Sequence, residues 1–174
     1  MLKQLGPYII DKQIGRGGMG FVYAAHHEDT AEVVAVKMLS LGFADDENFR
    51  SRFSLEIETL KQLHHEGIVE IFGFGEQDGT LFYSMELVDG PSLFETLKSD
   101  GPVAWRDVVR MTIEICHALK HAHDRGVIHR DLKPSNLIVS QSGSVKLVDF
   151  GIARLFGSAQ LTADHAVVGT ADYM

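Results

Sequence analysis

Apolar and polar residues alternate in short runs through the first half of the chain, which is the pattern of strands with one buried face. Five such runs predict five strands: Tyr8–Arg16, Phe21–His26, Glu32–Leu39, Val69–Phe74 and Thr80–Leu87. The glycine-rich sequence GRGGMG separates the first two runs and predicts a turn between them. In the third run Ala35 and Lys37 lie two residues apart, so their side chains share one face of the sheet.

A helical period interrupts the strands between the third run and the fourth. The apolar residues of this stretch are Phe49, Phe53, Ile57, Leu60 and Leu63. They recur at spacings of three and four, as one face of an α-helix requires. Asp45 or Asp46 can cap the start of this helix. Glu56 borders the apolar stripe, and a carboxylate in that position needs a partner.

The second half of the chain predicts two helices followed by a small hairpin. The sequence VDGP at residues 88–91 predicts a linker between residues 1–87 and residues 92–174. The predicted elements after it are a short helix over Pro91–Lys98, a long helix over Ala104–Arg125, and two short strands at Leu137–Val139 and Val145–Val148. The long helix has an apolar face made of Val108, Met111, Ile115, Leu119 and Ala122.

The composition is that of a folded protein. Of 174 residues, 45% are hydrophobic and 23% are charged, and the formal net charge of −8 argues against a nucleic-acid or anionic-membrane binder. No apolar run reaches membrane-spanning length and no signal-peptide core is evident, so a cytoplasmic location is expected. Cys116, the one cysteine, is expected to be a buried thiol. His117 and His121 have a metal-binding spacing but no third ligand, so ordinary helix residues are expected.

The densest set of chemically active side chains is VIHRDLKPSN, at residues 127–136. It contains the carboxylate of Asp131, the ammonium of Lys133 and the amide of Asn136. Phosphoryl transfer needs a carboxylate to accept a hydroxyl proton, a cation beside the moving phosphate and an amide oxygen for Mg²⁺. A buried structural turn has little use for so many ionisable groups, so the stretch indicates a catalytic loop.

Gly15, Gly17 and Gly20 form a GxGxxG pattern whose meaning depends on the element after it. In a dinucleotide-binding fold these glycines open a helix, whereas here they precede FVYAAH, which favours a strand. A glycine loop between two strands can present bare N–H groups to nucleotide phosphates. Taken alone, the pattern is equally compatible with an ordinary flexible hairpin.

Two further charged positions have both a structural and a functional interpretation. Lys37 closes the sequence VAVK, either as an edge-strand lysine in solvent or as the partner of Glu56, with its ammonium directed at nucleotide phosphates. Asp149 opens the sequence DFG after an apolar strand. It is either a turn residue or, together with Asn136, a ligand of Mg²⁺.

The motifs taken together resemble one family. The glycine loop, VAVK, the helical Glu56, HRDLKPSN, DFG and the closing GTADYM occur in this order, as in the eukaryotic-like serine/threonine protein kinases and especially their bacterial branch. The resemblance covers nearly the whole chain and implies an α+β, bilobal fold. Residues 1–87 would form a five-stranded antiparallel N-lobe with one helix, residues 88–91 the hinge, and residues 92–174 an incomplete, mainly helical C-lobe.

The resemblance implies a catalytic role for four residues. Asp131 would accept the proton of the substrate hydroxyl or orient that hydroxyl, and Lys133 would steady the γ-phosphate. Lys37, paired with Glu56, would contact the α- and β-phosphates. A lysine at position 133 is typical of serine/threonine rather than tyrosine specificity.

The resemblance also implies ATP and Mg²⁺ as cofactors. Asn136 and Asp149 would be the metal ligands. The nucleotide site would be lined by Ile14, Gly15, Arg16, Gly17, Gly18, Gly20, Val22, Ala35, Lys37, Met85, Glu86, Val88 and Ile138. The residues expected to stack into the apolar column of an active kinase are Leu60, Ile71, His129 and Phe150.

Regulation by phosphorylation of the loop after DFG is a further implication. Arg130 would bind a phosphate on that loop, for which Thr162 is the best-placed acceptor and Ser158 a weaker one. Thr170 would instead support the catalytic loop. Self-association for trans-autophosphorylation is a possible consequence.

The expected function is transfer of the ATP γ-phosphate to serine or threonine hydroxyls of protein substrates. The family's Ala-Pro-Glu triplet would come after Met174, so a truncated catalytic region is expected, with an apolar face of the long helix exposed. The alternative is a catalytically impaired fragment that acts as an ATP-binding or scaffold module. A dinucleotide-dependent oxidoreductase is disfavoured by the strand that comes after Gly20.

Overall fold

The computed structural model describes residues 2–17, 20–39 and 47–150. These residues form two compact units. The first contains the described residues up to Gln62 together with Glu70–Leu87. The second contains Leu63–Val69 and the described residues from Val88 onward. The short segment Leu63–Val69 thus belongs to the second unit, although the first unit flanks it in sequence.

The first unit is an antiparallel sheet with one helix. Its strands are β1 (Gln4–Leu5), β2 (Tyr8–Gly17), β3 (Gly20–His27), β4 (Val33–Leu39), β5 (Ile71–Gln77) and β6 (Thr80–Glu86), and its helix is α1 (Glu47–Leu60). The strand order is β1-β2-β3-β4-β6-β5. The described sheet therefore has six strands, whereas five were predicted. The prediction missed β1, because a strand of two residues shows no alternation of apolar and polar positions.

The two faces of this sheet pack differently. One face carries a core cluster made of Leu5, Ala25, Val34, Val36 and Phe82. Helix α1 packs on the other face, where the ring of Phe53 lies 5.9 Å from that of Phe74 and 6.4 Å from that of Tyr83. Four residues of the predicted apolar stripe are buried in the helix, Phe49, Phe53, Ile57 and Leu60, which confirms its period. The fifth, Leu63, lies beyond the end of the helix and is buried in the second unit. The proposed caps Asp45 and Asp46 lie outside the described residues.

The second unit contains helices and a two-stranded hairpin. Its elements are α2 (Leu93–Ser99), α3 (Trp105–His123), a 3₁₀ turn (Pro134–Asn136), β7 (Leu137–Val139) and β8 (Val145–Leu147). Ser92 caps α2, since its Oγ accepts the Glu95 N–H while the Glu95 carboxylate accepts the Ser92 N–H. The hydrogen bonds that the Glu95 carboxylate accepts from the Ser92 N–H and from the Ser92 hydroxyl lower the pKa of Glu95. No described helix is long and apolar enough to span a membrane.

Helix α3 has two apolar stripes on opposite sides. Met111, Ala118 and Ala122 are buried. Val109 and Ile113 are about half exposed, and Cys116 on the same side is exposed as well. The prediction of a buried Cys116 thiol was therefore wrong, because residues 109, 113 and 116 share the face opposite the buried one at 100° per residue.

The end of the linker and the residue after it are attached to β7. The Val139 N–H donates to the Pro91 carbonyl at 2.9 Å, and Ser92 pairs with Ile138 in an antiparallel bridge. A side chain at Gly90 would collide with the main-chain carbonyl of Val139. Only glycine therefore permits this close approach of the two backbones.

The segment Leu63–Val69 is held against α3 and β8. Leu147 donates its N–H to the Gly67 carbonyl at 2.8 Å and accepts the Val69 N–H at 3.0 Å. The rings of His65 and His121 lie 5.1 Å apart, and the buried Nε2 of His121 has no hydrogen-bond partner among the described residues. No group of three or more His, Cys, Asp or Glu side chains in residues 2–17, 20–39 and 47–150 is arranged to hold a metal.

His121 makes the stability of this contact depend on pH. Burial lowers the pKa of His121 from the usual 6.5, the charges of Arg125, His65 and His64 lower it further, and Asp124 acts in the opposite direction. The folded chain therefore binds a proton here less readily than the unfolded chain. The resulting stabilisation is complete above the unfolded pKa of 6.5 and is lost as the pH falls toward the lower folded value.

The variant His121→Phe keeps an aromatic ring against His65 but cannot be protonated. We expect its free energy of unfolding to fall less than that of the wild type between about pH 7 and pH 5, as measured by urea denaturation. His117→Phe, at an exposed position on the same helix, should retain the wild-type slope. Identical pH dependence in the wild type and His121→Phe would contradict the prediction.

Gly20 has a backbone that other residues adopt only with strain. Its φ is +142°, and a Cβ there would collide with the main-chain carbonyl of Met38 on β4. We expect Gly20→Ala to lower the free energy of unfolding by about 1–3 kcal/mol in urea denaturation. Gly17→Ala is the matched control, since its Cβ would meet no described atom within 4 Å, and its effect should stay within about 1 kcal/mol. Equal effects of the two substitutions would exclude this steric explanation.

Candidate active site

Strand register in the first unit brings together several residues expected at the nucleotide site. Val22 lies opposite Lys37, and Ala35 lies opposite Met85. Val22 is two residues from Ala24, which itself lies opposite Ala35, so the two pairs occupy the same face. The sheet therefore presents Val22, Ala35, Lys37 and Met85 side by side.

Lys37 is buried on this face, with an exposed fraction of 5%. The interpretation of Lys37 as a solvent-facing edge lysine is therefore wrong, because β4 lies inside the sheet between β3 and β6. Its cross-strand neighbour Tyr83 packs against Phe53 of α1. Glu56 comes three residues after Phe53, so it lies on the same part of the helix. The Lys37–Glu56 ion pair stays a prediction.

The glycine sequence lies at the tip of the β2–β3 hairpin. Gly15 pairs with Val22, and Gly17 pairs with Gly20. The glycines thus join two strands and open no helix, which is not the geometry of a dinucleotide-binding turn. This geometry fits both a phosphate loop and an ordinary hairpin. Ile14 is 45% exposed on β2. The Arg16 guanidinium lies 5.3 Å from the centre of the Phe21 ring, and Gly18 lies outside the described residues.

The remaining residues expected at the nucleotide site are divided between the two units. Met85 and Glu86 close β6 in the first unit, and the Glu86 N–H donates to the Glu70 carbonyl at 2.8 Å. Val88 and Ile138 lie in the second unit, where Ile138 belongs to β7.

Asp131 is the centre of a compact polar cluster in the second unit. Its Oδ2 lies 2.7 Å from the Lys133 Nζ and accepts the Asn136 amide at 3.1 Å. The same amide donates to the Asp131 main-chain carbonyl at 2.8 Å. The three side chains singled out in the sequence VIHRDLKPSN therefore meet at one carboxylate.

Asn136 also connects this cluster to the residue before Asp149. Its side chain is buried, and both of its hydrogen bonds to Asp131 use the Nδ2. Neither bond uses the Oδ1, which is a hard oxygen of the kind that Mg²⁺ prefers. The Asn136 carbonyl accepts the Val148 N–H at 3.1 Å, so the backbone next to Asp149 is fixed to this loop. The donor set at the two predicted metal ligands fits Mg²⁺.

A buried histidine supports both segments. The Nε2 of His129 lies 3.0 Å from the Val148 carbonyl, and because a carbonyl only accepts, Nε2 carries the proton. Burial lowers the pKa of His129, although the Val148 hydrogen bond and the charges of Asp149 and Asp131 oppose this. His129 is therefore neutral near pH 7. Its ring lies 4.5 Å from that of Phe150.

Other predicted residues fall outside this cluster. Leu60 is buried in the first unit, and Ile71 is the first residue of β5 in the same unit. Among the residues of the predicted apolar column, the observed contact is the one between the rings of His129 and Phe150. Thr162, Ser158 and Thr170 lie outside the described residues.

One residue was not recognised from the sequence. Glu114 of α3 accepts the Val145 N–H of β8 at 2.9 Å. The only signal for it would have been a carboxylate within the apolar period of a long helix, and such a residue more often faces solvent.

Comparisons with known proteins agree with this geometry. The family model described as the protein kinase domain matches residues 8–174. The chain is 42% identical over 173 residues to the probable serine/threonine-protein kinase PknB of Corynebacterium glutamicum, with 96% of this chain and 27% of that protein covered. It is 36% identical over 169 residues to the serine/threonine-protein kinase PrkC of Bacillus subtilis, with 97% and 26% covered. The chain thus spans about a quarter of the length of the curated relatives it matches.

Solved structures show the same relationship. A crystal structure of the Mycobacterium tuberculosis PknI kinase domain matches with a TM-score of 0.77 and 33% identity, over 87% of this chain and 62% of that one. A second crystal structure of the same domain gives a TM-score of 0.76 and 31% identity, over 89% and 67%. These matches confirm the predicted fold class, and with the family model they show that the chain belongs to the protein kinase family, whose members in general use ATP and Mg²⁺.

Proposed function

We propose that this chain is the catalytic region of a serine/threonine protein kinase, which transfers the γ-phosphate of ATP to hydroxyl groups of proteins. The observation that carries the proposal is the Asp131 cluster, in which a carboxylate, an ammonium and an amide meet within 2.7–3.1 Å. Membership of the kinase family supports it. The relatives PknB and PrkC are called serine/threonine-protein kinases, which favours serine and threonine as the acceptors.

Asp131 would act on the substrate hydroxyl. Lys133 and Asn136 both contact its Oδ2, which fixes the plane of the carboxylate. Neither of these two contacts uses the Oδ1. A carboxylate held in this way can accept the hydroxyl proton or orient the hydroxyl for in-line attack. Lys133 would carry its positive charge beside the transferred phosphoryl group, where negative charge is distributed in the transition state.

Asn136 and Asp149 would hold Mg²⁺ through the Asn136 Oδ1 and the Asp149 carboxylate. When bound, the metal neutralises phosphate charge. The protein supplies the fixed spacing of the two ligands, because the Val148 N–H is bonded to the Asn136 carbonyl one residue before Asp149. Catalysis would thus depend on positioning and electrostatics.

The first unit would bind the nucleotide. Val22, Ala35 and Met85 offer an apolar surface for an adenine ring beside the buried Lys37. Lys37 would bind the α- and β-phosphates, with Glu56 as its partner, and the hairpin Gly15–Gly20 would cover the phosphates with bare N–H groups. Regulation through Thr162 and Arg130 belongs to the same proposal and rests on the family resemblance.

Asp131→Ala and Lys37→Met should each lower phosphoryl transfer by at least about a hundredfold, because one removes the proton acceptor and the other removes the phosphate-binding ammonium. The measurement is transfer of radiolabel from γ-labelled ATP to casein by the 174-residue chain. Thermal melting of each variant checks that the fold survives.

Two exposed residues provide matched controls for these variants. Asp124→Ala and Lys61→Ala remove the same charge types from surface ion pairs and should keep wild-type transfer. Near-wild-type transfer by Asp131→Ala would refute the assigned role. ATP binding without any transfer by the wild-type chain would favour the scaffold alternative.

Nucleotide choice separates the kinase from a dinucleotide-dependent enzyme. We expect MgATP to raise the melting temperature of the wild-type chain by several degrees at about a hundredfold excess over its Kd, because a ligand of the folded state stabilises it by about 2.7 kcal/mol there. NAD at the same concentration should leave the melting temperature unchanged, since the glycine hairpin provides no helix N-terminus for a pyrophosphate. A larger shift with NAD than with ATP would overturn the assignment.

A further inference from the structure

Strand β8 is an edge strand whose outward N–H groups are bonded to other parts of the second unit. Hydrogen bonds between β7 and β8 fall on alternate pairs, as shown by Ser140 N to Ser144 O and Val148 N to Asn136 O. The N–H groups of Val145 and Leu147 therefore point away from β7. Leu147 donates to the Gly67 carbonyl, and Val145 donates to the carboxylate of Glu114.

The Glu114 carboxylate thus accepts the Val145 N–H, as the carbonyl of a neighbouring strand would in a larger sheet. The Glu114 Oε2 lies 2.9 Å from the Val145 N, and Val145 is 3% exposed, so solvent could not easily replace this acceptor. The Arg110 guanidinium, one helical turn earlier, lies beside Gly143 in the β7–β8 turn. Helix α3 therefore holds the hairpin through Glu114 and passes close to its turn at Arg110.

The end of β8 determines where Asp149 lies. The N–H groups of Val145, Leu147 and Val148 are bonded to Glu114, Gly67 and Asn136 in turn, and the Val148 carbonyl accepts from His129. Asp149 comes next, with a left-handed φ of +61°. A non-glycine residue keeps such a backbone only where its surroundings over-determine it. A change in the position of β8 is therefore transmitted to the Asp149 carboxylate.

We propose that Glu114 is a positioning residue for the metal half of the active site. By accepting the Val145 N–H it fixes β8 on α3, and β8 sets the distance between the Asp149 carboxylate and the Asn136 Oδ1. The proposal rests on the proposed function, in which these two residues hold Mg²⁺. It adds a residue that touches neither metal nor nucleotide and acts through the main chain.

Three variants distinguish the effect of the Glu114 hydrogen bond from the effect of its charge and from the effect of removing any carboxylate from α3. Glu114→Leu removes the acceptor at similar volume, Glu114→Gln removes the charge but keeps an amide oxygen as acceptor, and Asp107→Ala removes an exposed carboxylate from the same helix. We expect Glu114→Leu to weaken Mg²⁺ binding at saturating ADP by about tenfold or more, as loss of a ligand-orienting group does. Glu114→Gln and Asp107→Ala should bind Mg²⁺ like the wild type.

Isothermal titration of Mg²⁺ into the ADP complex gives these affinities, and titration of ADP without metal gives the reference. A residue that acts on the metal half should change the affinity for Mg²⁺ and leave the affinity for metal-free ADP unchanged. Amide hydrogen exchange of Val145 should accelerate in Glu114→Leu alone, while a thermal melt confirms that each variant is folded.

The possible outcomes are distinct. Wild-type Mg²⁺ affinity in Glu114→Leu, or equal losses in Glu114→Leu and Glu114→Gln, would overturn the positioning role. A parallel loss of ADP affinity without metal would also overturn it, because the defect would then be general. A wild-type chain that binds neither ADP nor Mg²⁺ would instead refute the proposed function itself.

Discussion

The hydrogen bonds of the Asn136 amide are the interaction that holds the predicted catalytic loop together. The amide donates to the main-chain carbonyl and to the carboxylate of Asp131, at 2.8 Å and 3.1 Å. Because Asn136 is buried, the loop cannot open without leaving that amide unpaired, which costs about 1–3 kcal/mol. The Asn136 carbonyl also accepts the Val148 N–H, so one residue joins the carboxylate to the strand that precedes Asp149.

Around this amide the backbone is held in unfavourable conformations. Arg130 and Asp149 have φ values of +64° and +61°, and each such residue costs about 1–3 kcal/mol in the absence of compensating contacts. The compensation comes from His129, which is buried and neutral and donates to the Val148 carbonyl between the two segments. Arg130 directly precedes the predicted proton acceptor Asp131, and Asp149 is itself a predicted metal ligand, so the strained backbone lies where fixed geometry is useful.

In the first unit, one face of the sheet carries a hydrophobic core and the other face carries residues predicted to bind the nucleotide. Val34 and Val36 point into the hydrophobic cluster with Phe82, whereas Ala35 and Lys37, which alternate with them, share the other face with Val22 and Met85. The same alternation that builds the core thus brings a buried ammonium to an apolar surface. Helix α1 packs on that face through Phe53, and this determines which side of the sheet Glu56 approaches.

Local periodicity determined much of this protein. The strands β2–β6, the buried stripe of α1 and the meeting of Asp131, Lys133 and Asn136 arise from spacings within a few residues. The edge strand β1, the exposure of Cys116 and the burial of Lys37 were decided by tertiary structure, because burial depends on which elements cover a face. Glu114 belongs to the same group, since its partner Val145 lies 31 positions away in sequence. Short-range spacing fixes which side chains share a face, and only packing between distant segments decides what that face meets.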